Sequence, residues 1–294
     1  MSKIDTNNAI IIEDSESESE GHEQITELIK STKNTKDTKD TKNTKDTTDT
    51  KDTKITKPKK YVEPLKKFLK DDKDIFEIGV DEAGRGPLFG RVYTAAVILP
   101  KDNSFDHSKV KDSKKFTSKK KIQEVAEYVK ETALAWYVSF EDETVIDDIN
   151  ILQATQKSMH HSILEVRKQY IQKLKEEGKY DLQQESNFYL LIDGNYFNPI
   201  TYLNKGSEKL ETMPFDTIEG GDNKYTCIAA ASILAKVERD KYIEELCSLH
   251  PDLVEKYGID SNKGYGAKKH MNGIKEHGIT IWHRKTFGIC KSFT

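Results

Sequence analysis

Cysteine is scarce: the 294 residues include only Cys227, Cys247 and Cys290, too few and too scattered for a disulfide framework or a zinc knuckle. The matching expectation is a reducing, intracellular setting in the cytoplasm. No apolar run approaches the roughly 20 residues of a membrane helix, and the first thirty residues carry acids where a signal peptide would be apolar. Charge of one sign is not in excess either, since 47 Lys and Arg stand against 50 Asp and Glu. Any affinity for nucleic acid would therefore need a local patch, not bulk positive charge. What the chain does have is 33% charged and 35% hydrophobic residues, enough for one ordinary domain plus additional segments.

The additional segment lies at the start. Residues 1–60 hold 12 basic and 13 acidic side chains, including the acidic run Glu13, Asp14, Glu16, Glu18 and Glu20 and a three-residue repeat of the type Lys36-Asp37-Thr38. Such a stretch has almost nothing to bury and cannot offset its own ordering entropy, so a disordered low-complexity tail is expected. Order is expected from Tyr61 onward. Short β-branched apolar runs at 75–80, 92–99, 134–140 and 188–192 read as strands. Apolar residues at helical spacing predict helices over 122–133, 152–174 and 229–246. Between them a polar stretch to Ser186 reads as a surface excursion. This order implies an α/β layered core, 61–248, with a small helical region, 249–294, after it.

Asp81 and Glu82 follow the first strand and precede Ala83-Gly84-Arg85-Gly86-Pro87. Adjacent carboxylates at the mouth of a sheet are costly to bring together unless a cation or proton holds them. Gly84 and Gly86 permit a bend there and expose backbone N–H groups, and Arg85 adds a forked cation, a combination suited to one phosphate. No Lys-Ser or Lys-Thr follows the glycines, which excludes a Walker loop. Asp193 closes another strand, and Asp222 stands in Gly220-Gly221-Asp222-Asn223 just ahead of an Ala-rich helix. Taken singly, these are ordinary turn or cap residues. Four carboxylates at three element ends form an oxygen-ligand set of the kind Mg²⁺ prefers, and paired ions of this type support phosphodiester hydrolysis.

Gly79-Val80-Asp81-Glu82-Ala83-Gly84-Arg85-Gly86-Pro87-Leu88 resembles the opening motif of ribonuclease HII, the type 2 ribonuclease H. The resemblance continues in order through Asp112-Ser113-Lys114-Lys115, Asn150 to Thr155, Ile192-Asp193-Gly194, Asp222 with the Ala229-Ala230-Ala231-Ser232 helix and Arg239-Asp240, Gly264-Tyr265-Gly266 with His270, and His283-Arg284 with Phe287. It covers roughly residues 75–290 and is nearer to the single-chain bacterial form than to the eukaryotic catalytic subunit. Arg85 and the low-complexity start both point away from ribonuclease HIII. A non-catalytic hybrid-binding protein is a further alternative, against which the four intact acids argue.

The resemblance implies a ribonuclease H-like fold, a mixed five-stranded sheet flanked by helices. It also implies Mg²⁺ or Mn²⁺ bound by Asp81, Glu82, Asp193 and Asp222. The implied activity is cleavage of the RNA strand of RNA/DNA hybrids and at single ribonucleotides in duplex DNA, leaving 3′-hydroxyl and 5′-phosphate ends. Gly84, Arg85, Gly86 and Tyr265 would read the ribose 2′-hydroxyl, the group that separates RNA from DNA, and Lys114 would position the backbone. A monomer is expected, with no obligatory protein partner, no membrane association and no sliding-clamp peptide after Phe287. Phe89 and Arg91 stand where the family usually has a small residue and a proline. Gly220 replaces a common lysine, with Arg91 a candidate to supply the missing cation. The stretch 168–185 is longer than the family usually needs. Lys115, Lys119, Lys120 and Lys121 on one side, and Lys263, Lys268, Lys269 and His270 on the other, are read as solvated faces or duplex flanks.

Overall fold

The computed structural model describes residues 63–182, 184 and 187–294, so the expected tail at 1–60 lies outside the described residues. The core is a five-stranded sheet. Strands β1 (Phe76–Ala83), β2 (Val92–Ile98) and β3 (Ala135–Glu141) form an antiparallel meander. Strand β4 (Phe188–Asp193) then pairs parallel to β1. A separate hairpin of β5 (Thr201–Asn204) and β6 (Lys209–Thr212) follows before β7 (Phe215–Ile218) pairs parallel to β4, giving the order β3-β2-β1-β4-β7.

Helices cover both faces, which is why the central strands read as nearly continuous apolar runs. On one face Ile78, Val80, Ala96, Ile98, Leu190 and Ile192 pack under α2 (Glu143–Glu176) through Met159, Ile163 and Val166. On the other, Ala95, Val97 and Leu191 pack under α1 (Lys119–Thr132) and α3 (Thr226–Leu249). The small residues Ala229, Ala230 and Ala231 of α3 are fully buried against this face. After α3, a π-helical turn (Leu253–Tyr257), the short α4 (Ile259–Asn262), α5 (Lys268–His277) and a 3₁₀ turn (Gly288–Phe293) gather around Phe89, Ile243, Leu246 and Ile274. Phe89, the large residue where a small one is usual, is completely buried and ties the turn after β1 to this region. All three cysteines are buried, with free thiols. Among the described residues no helix is long and apolar enough to cross a membrane.

Three features depart from the sequence reading. β1 runs on through Ala83, so Asp81 and Glu82 lie inside the strand and not after it. Pairing with β2 continues to Ala83↔Tyr93, whereas pairing with β4 stops at Val80↔Ile192. α2 begins at Glu143, capped by Asp142, whose carboxylate accepts from the Val145 amide. It breaks at Asn150 (φ 67°, ψ 163°), whose side chain accepts from the amides of Leu152 and Gln153 and so caps the segment foreseen from 152. The strands β5, β6 and β7, each four residues long, were not located in the sequence, although the resemblance implied the fifth sheet strand that β7 supplies.

Candidate active site

Because side chains alternate along a strand, Asp81 shares the α3 face with Gly79, and Asp193 shares it with Leu191. Gly79 pairs with Leu191 across the parallel strands. One further step in register brings Asp81 and Asp193 side by side at the carboxyl ends of β1 and β4, where open α/β sheets place their sites. Asp222 is delivered by a 3₁₀ turn, Gly221–Asn223, that leads into α3, and it is 2% exposed. The turn is fixed by Asp193, whose Oδ1 accepts from the Gly221 amide at 2.6 Å. Gly220 precedes it in the left-handed region (φ 62°), a conformation that favours glycine. Glu82 completes the group and meets Arg85 at 3.2 Å.

The electrostatics show how closely the acids interact. Burial raises the Asp81 carboxyl well above the ordinary range, and the charges of Glu82 and Asp193 raise it further, while a hydrogen bond from Ser232 on α3 opposes them. Burial also raises Glu82, against the pull of Arg85, and raises Asp193, against the Gly221 amide and with repulsion from Asp222. The Lys114 ammonium lies 3.3 Å from Asp222 Oδ2, and it is presented by a 3₁₀ turn whose cap, Asp112, accepts from the Lys114 amide. Ser113 beside it meets Ser232 at 3.0 Å.

These are hard oxygen donors, and a divalent cation among them would offset the burial and mutual repulsion that raise Asp81, Glu82 and Asp193; the set fits Mg²⁺ or Mn²⁺. Among the described residues no three acidic, histidine or cysteine side chains are already gathered as a metal cage. Instead, Asp222 holds Lys114 and Asn223, Asp193 holds the Gly221 amide, and Glu82 holds Arg85.

A cleft of about 490 Å³ contains Asp81, Glu82, Asp193 and Lys114 on one side and Gly84, Arg85, Gly86 and Tyr265 on the other. Gly84 takes φ 94°, and a Cβ there would fall 2.2 Å from Arg239 Nε, so the turn is pressed against α3. Tyr265 is half exposed, and its ring edge lies 3.6 Å from where a Cβ on Gly86 would be. Arg239 is buried, donates to the Lys263 carbonyl at 2.8 Å and lies 5.9 Å from the Tyr265 ring centre.

Ser232 and Arg239 were quoted from the sequence only as parts of a motif; their helical spacing of seven, two turns along one face of α3, is the signal that could have assigned them to the cleft. Of the other sequence candidates, the structure brings Lys263 to the cleft but leaves Arg91, Lys115, Lys119, Lys269 and His270 out of its lining. Arg91 is sandwiched between the Phe140 and Tyr242 rings at 4.1 and 4.4 Å, so it does not supply the cation that Gly220 lacks. Lys119 pairs with Glu244, Lys115 with Asn223, and Lys269 donates to the Val254 carbonyl. Lys263 lines the cleft with its ammonium 3.3 Å from Glu244, while His270 is buried beneath Tyr265.

The chain is 42% identical over 220 residues to the ribonuclease HII of Bacteroides thetaiotaomicron, covering 74% of this chain and 92% of that relative. It is 41% identical over 211 residues to the ribonuclease HII of Endomicrobium trichonymphae, covering 71% and 83%. The fold is similar to that of Bst-RNase HIII, solved in complex with Mn²⁺, with a TM-score of 0.52, 18% identity and coverage of 74% of this chain and 68% of that one. The ribonuclease HII family model matches residues 78–290, and the chain therefore belongs to the ribonuclease HII family, hydrolytic nucleases that cleave the RNA of RNA/DNA hybrids.

Proposed function

We propose that this chain is a Mg²⁺- or Mn²⁺-dependent endoribonuclease that cuts the RNA strand of hybrids and also cuts at single ribonucleotides embedded in duplex DNA, leaving 3′-hydroxyl and 5′-phosphate ends. The observation that carries this reading is the shared cleft, with the buried Asp81 and the half-buried Glu82 and Asp193 repelling one another on one side and a Gly-Arg-Gly turn beneath a half-exposed tyrosine on the other. Asp81, Glu82, Asp193 and Asp222 would hold a divalent cation, whose chemistry there would be to activate water and offset charge at the phosphodiester.

The remaining roles fall to the chain itself. The backbone N–H groups of the Gly84-Arg85-Gly86 turn and the Tyr265 ring read the 2′-hydroxyl and the sugar beside it. A hydroxyl is read by hydrogen bonds that a deoxyribose cannot return, which is how such a site rejects DNA. Lys114, on the rim beside Asp222, offers its ammonium to the backbone phosphate, fixing register without reading sequence. The helical region 249–294 forms the wall that carries Tyr265 and Lys263 and acts as the substrate-binding part, with the chain working as a monomer inside the cell.

The test is cleavage of two duplexes, one a long RNA/DNA hybrid and one DNA with a single ribonucleotide, each in Mg²⁺, in Mn²⁺ and in EDTA. Cutting beside the lone ribonucleotide, with 3′-hydroxyl ends and no product in EDTA, is the expected result. Binding of both duplexes without product in either metal would replace the nuclease by a hybrid-binding protein.

A further inference from the structure

Arg284 is completely buried, and among the described residues it makes no ion pair. Its guanidinium is satisfied by four carbonyls of one loop. Nη2 donates to Gly84 at 2.6 Å, Nη1 to Arg85 and Pro87 at 2.9 Å each, and Nε to Gly90 at 2.8 Å. A rigid fork of five N–H donors suits this task, which a lysine could not duplicate. The peptides of the described chain are all trans, and in a trans peptide the C=O and the following N–H point in opposite directions. Drawing the carbonyls of Gly84 and Arg85 inward to Arg284 therefore turns the N–H groups of Arg85 and Gly86 the other way, and both residues line the cleft.

The preceding residue reaches the other half of the cleft wall. His283 Nδ1 receives the Thr280 amide at 2.9 Å, and an amide only donates, so the ring proton of neutral His283 sits on Nε2. That proton faces His270 Nε2 at 3.1 Å, which must accept it, leaving His270 Nδ1–H to donate to the Tyr265 carbonyl at 2.9 Å. Both imidazoles are buried, and burial keeps them neutral, with His283 held down to about 3. The same segment is stitched by backbone bonds to the turn after β1, Arg284 donating to the Leu88 carbonyl and Gly90 to that of Trp282, at 2.9 Å each.

We propose that His283-Arg284 is the positioning element of the ribose-reading wall. Arg284 orients the amides of the Gly-Arg-Gly turn, His283 fixes Tyr265 through His270, and their adjacency in the chain sets the spacing between the two. Neither side chain touches substrate. The inference rests on the reading of Gly84, Arg85, Gly86 and Tyr265 as the ribose-recognition residues.

The test compares the full-length wild type with Arg284→Lys, His270→Leu and His270→Asn on the long hybrid and on the single-ribonucleotide duplex, recording kcat and KM separately and the melting temperature with and without Mn²⁺. In His270→Asn the amide nitrogen takes the place of Nδ1–H and still donates to the Tyr265 carbonyl. For Arg284→Lys and His270→Leu, kcat/KM is expected to fall at least tenfold more on the single-ribonucleotide duplex than on the hybrid, about 1.4 kcal/mol of selective loss. Stabilisation by Mn²⁺ should be retained, and His270→Asn, which keeps the bond to Tyr265 but loses the one from His283, should restore part of the selectivity lost in His270→Leu. Equal losses on both substrates, or no recovery in His270→Asn, overturn the inference while leaving the nuclease reading intact. If Arg284→Lys does not fold, the two His270 variants decide alone. A wild type that cuts neither duplex overturns both.

Discussion

A side chain at Gly79 would collide with the main chain of Cys227: its Cβ would stand 2.3 Å from the Cys227 carbonyl carbon. The start of α3 thus lies directly on the backbone of β1, and two residues farther along the same face Asp81 meets Ser232, five residues beyond Cys227 in that helix. The close approach sets how deeply the first carboxylate is buried.

Gly79→Ala should therefore be severe, since the clash is with backbone that cannot swing aside. A loss of about 3 kcal/mol or more is expected in denaturant unfolding, well above the usual cost of a single substitution. A loss under about 1 kcal/mol would mean that α3 can move off the strand.

Asp81 should make the protein less stable as the pH rises. Burial, with the charges of Glu82 and Asp193, holds its folded pKa well above the ordinary aspartate range, so the native state binds the proton more tightly than the unfolded chain. Stability is full below the unfolded value and falls as the pH rises from there through the folded pKa. Asp81→Asn removes this loss. At pH 7 in EDTA it should outlast the wild type in thermal melting by on the order of 1 kcal/mol, and Mg²⁺ should narrow the gap by stabilising only the wild type. Equal melting at pH 7 in EDTA would show that the carboxylate is not strained.

Asp193→Asn is expected to keep the fold, because an amide oxygen can still accept from Gly221, but to reduce cleavage at least a thousandfold. That corresponds to the several kcal/mol of charge stabilisation that a metal site provides. Single-turnover cleavage checks it, and near-normal rates would remove Asp193 from the chemistry.

Arg91 offers the contrasting case, since its guanidinium is stacked between Phe140 and Tyr242 outside the cleft. Arg91→Ala should cost about 1–2 kcal/mol of stability, the worth of a partly desolvated cation–π contact, and leave KM for the hybrid within about twofold. A large rise in KM would return Arg91 to the substrate path.

The sequence made Asp81, Glu82 and Asp193 legible because each stands where an apolar run ends, a strong local signal, and Asp222 because it stands in a Gly-Gly turn just ahead of an Ala-rich helix. It misjudged the end of β1 because pairing to β2 outlasts pairing to β4, a property of two neighbours and not of the strand itself. β7 was missed for a similar reason: Phe215–Ile218 is four residues on a sheet edge, too short to show a period. Tyr265 and the Gly-Arg-Gly turn came from motif resemblance, whereas the fork that Arg284 places on carbonyls about 200 residues earlier has no local pattern at all. In the basic stripe Lys114 lines the cleft, whereas Lys119, which looks free in the sequence, finds an acid on another helix.

The buried thiols give this chain built-in reporters of partial opening. Cys227 sits in the main core under the sheet, while Cys247 and Cys290 belong to the cluster around Phe89. Burial raises all three thiols above their usual range, so they stay protonated and slow to alkylate while folded. Modification of Cys247 and Cys290 ahead of Cys227 would time a detachment of the carboxyl-terminal helices that leaves the sheet intact, and would do so without any introduced label.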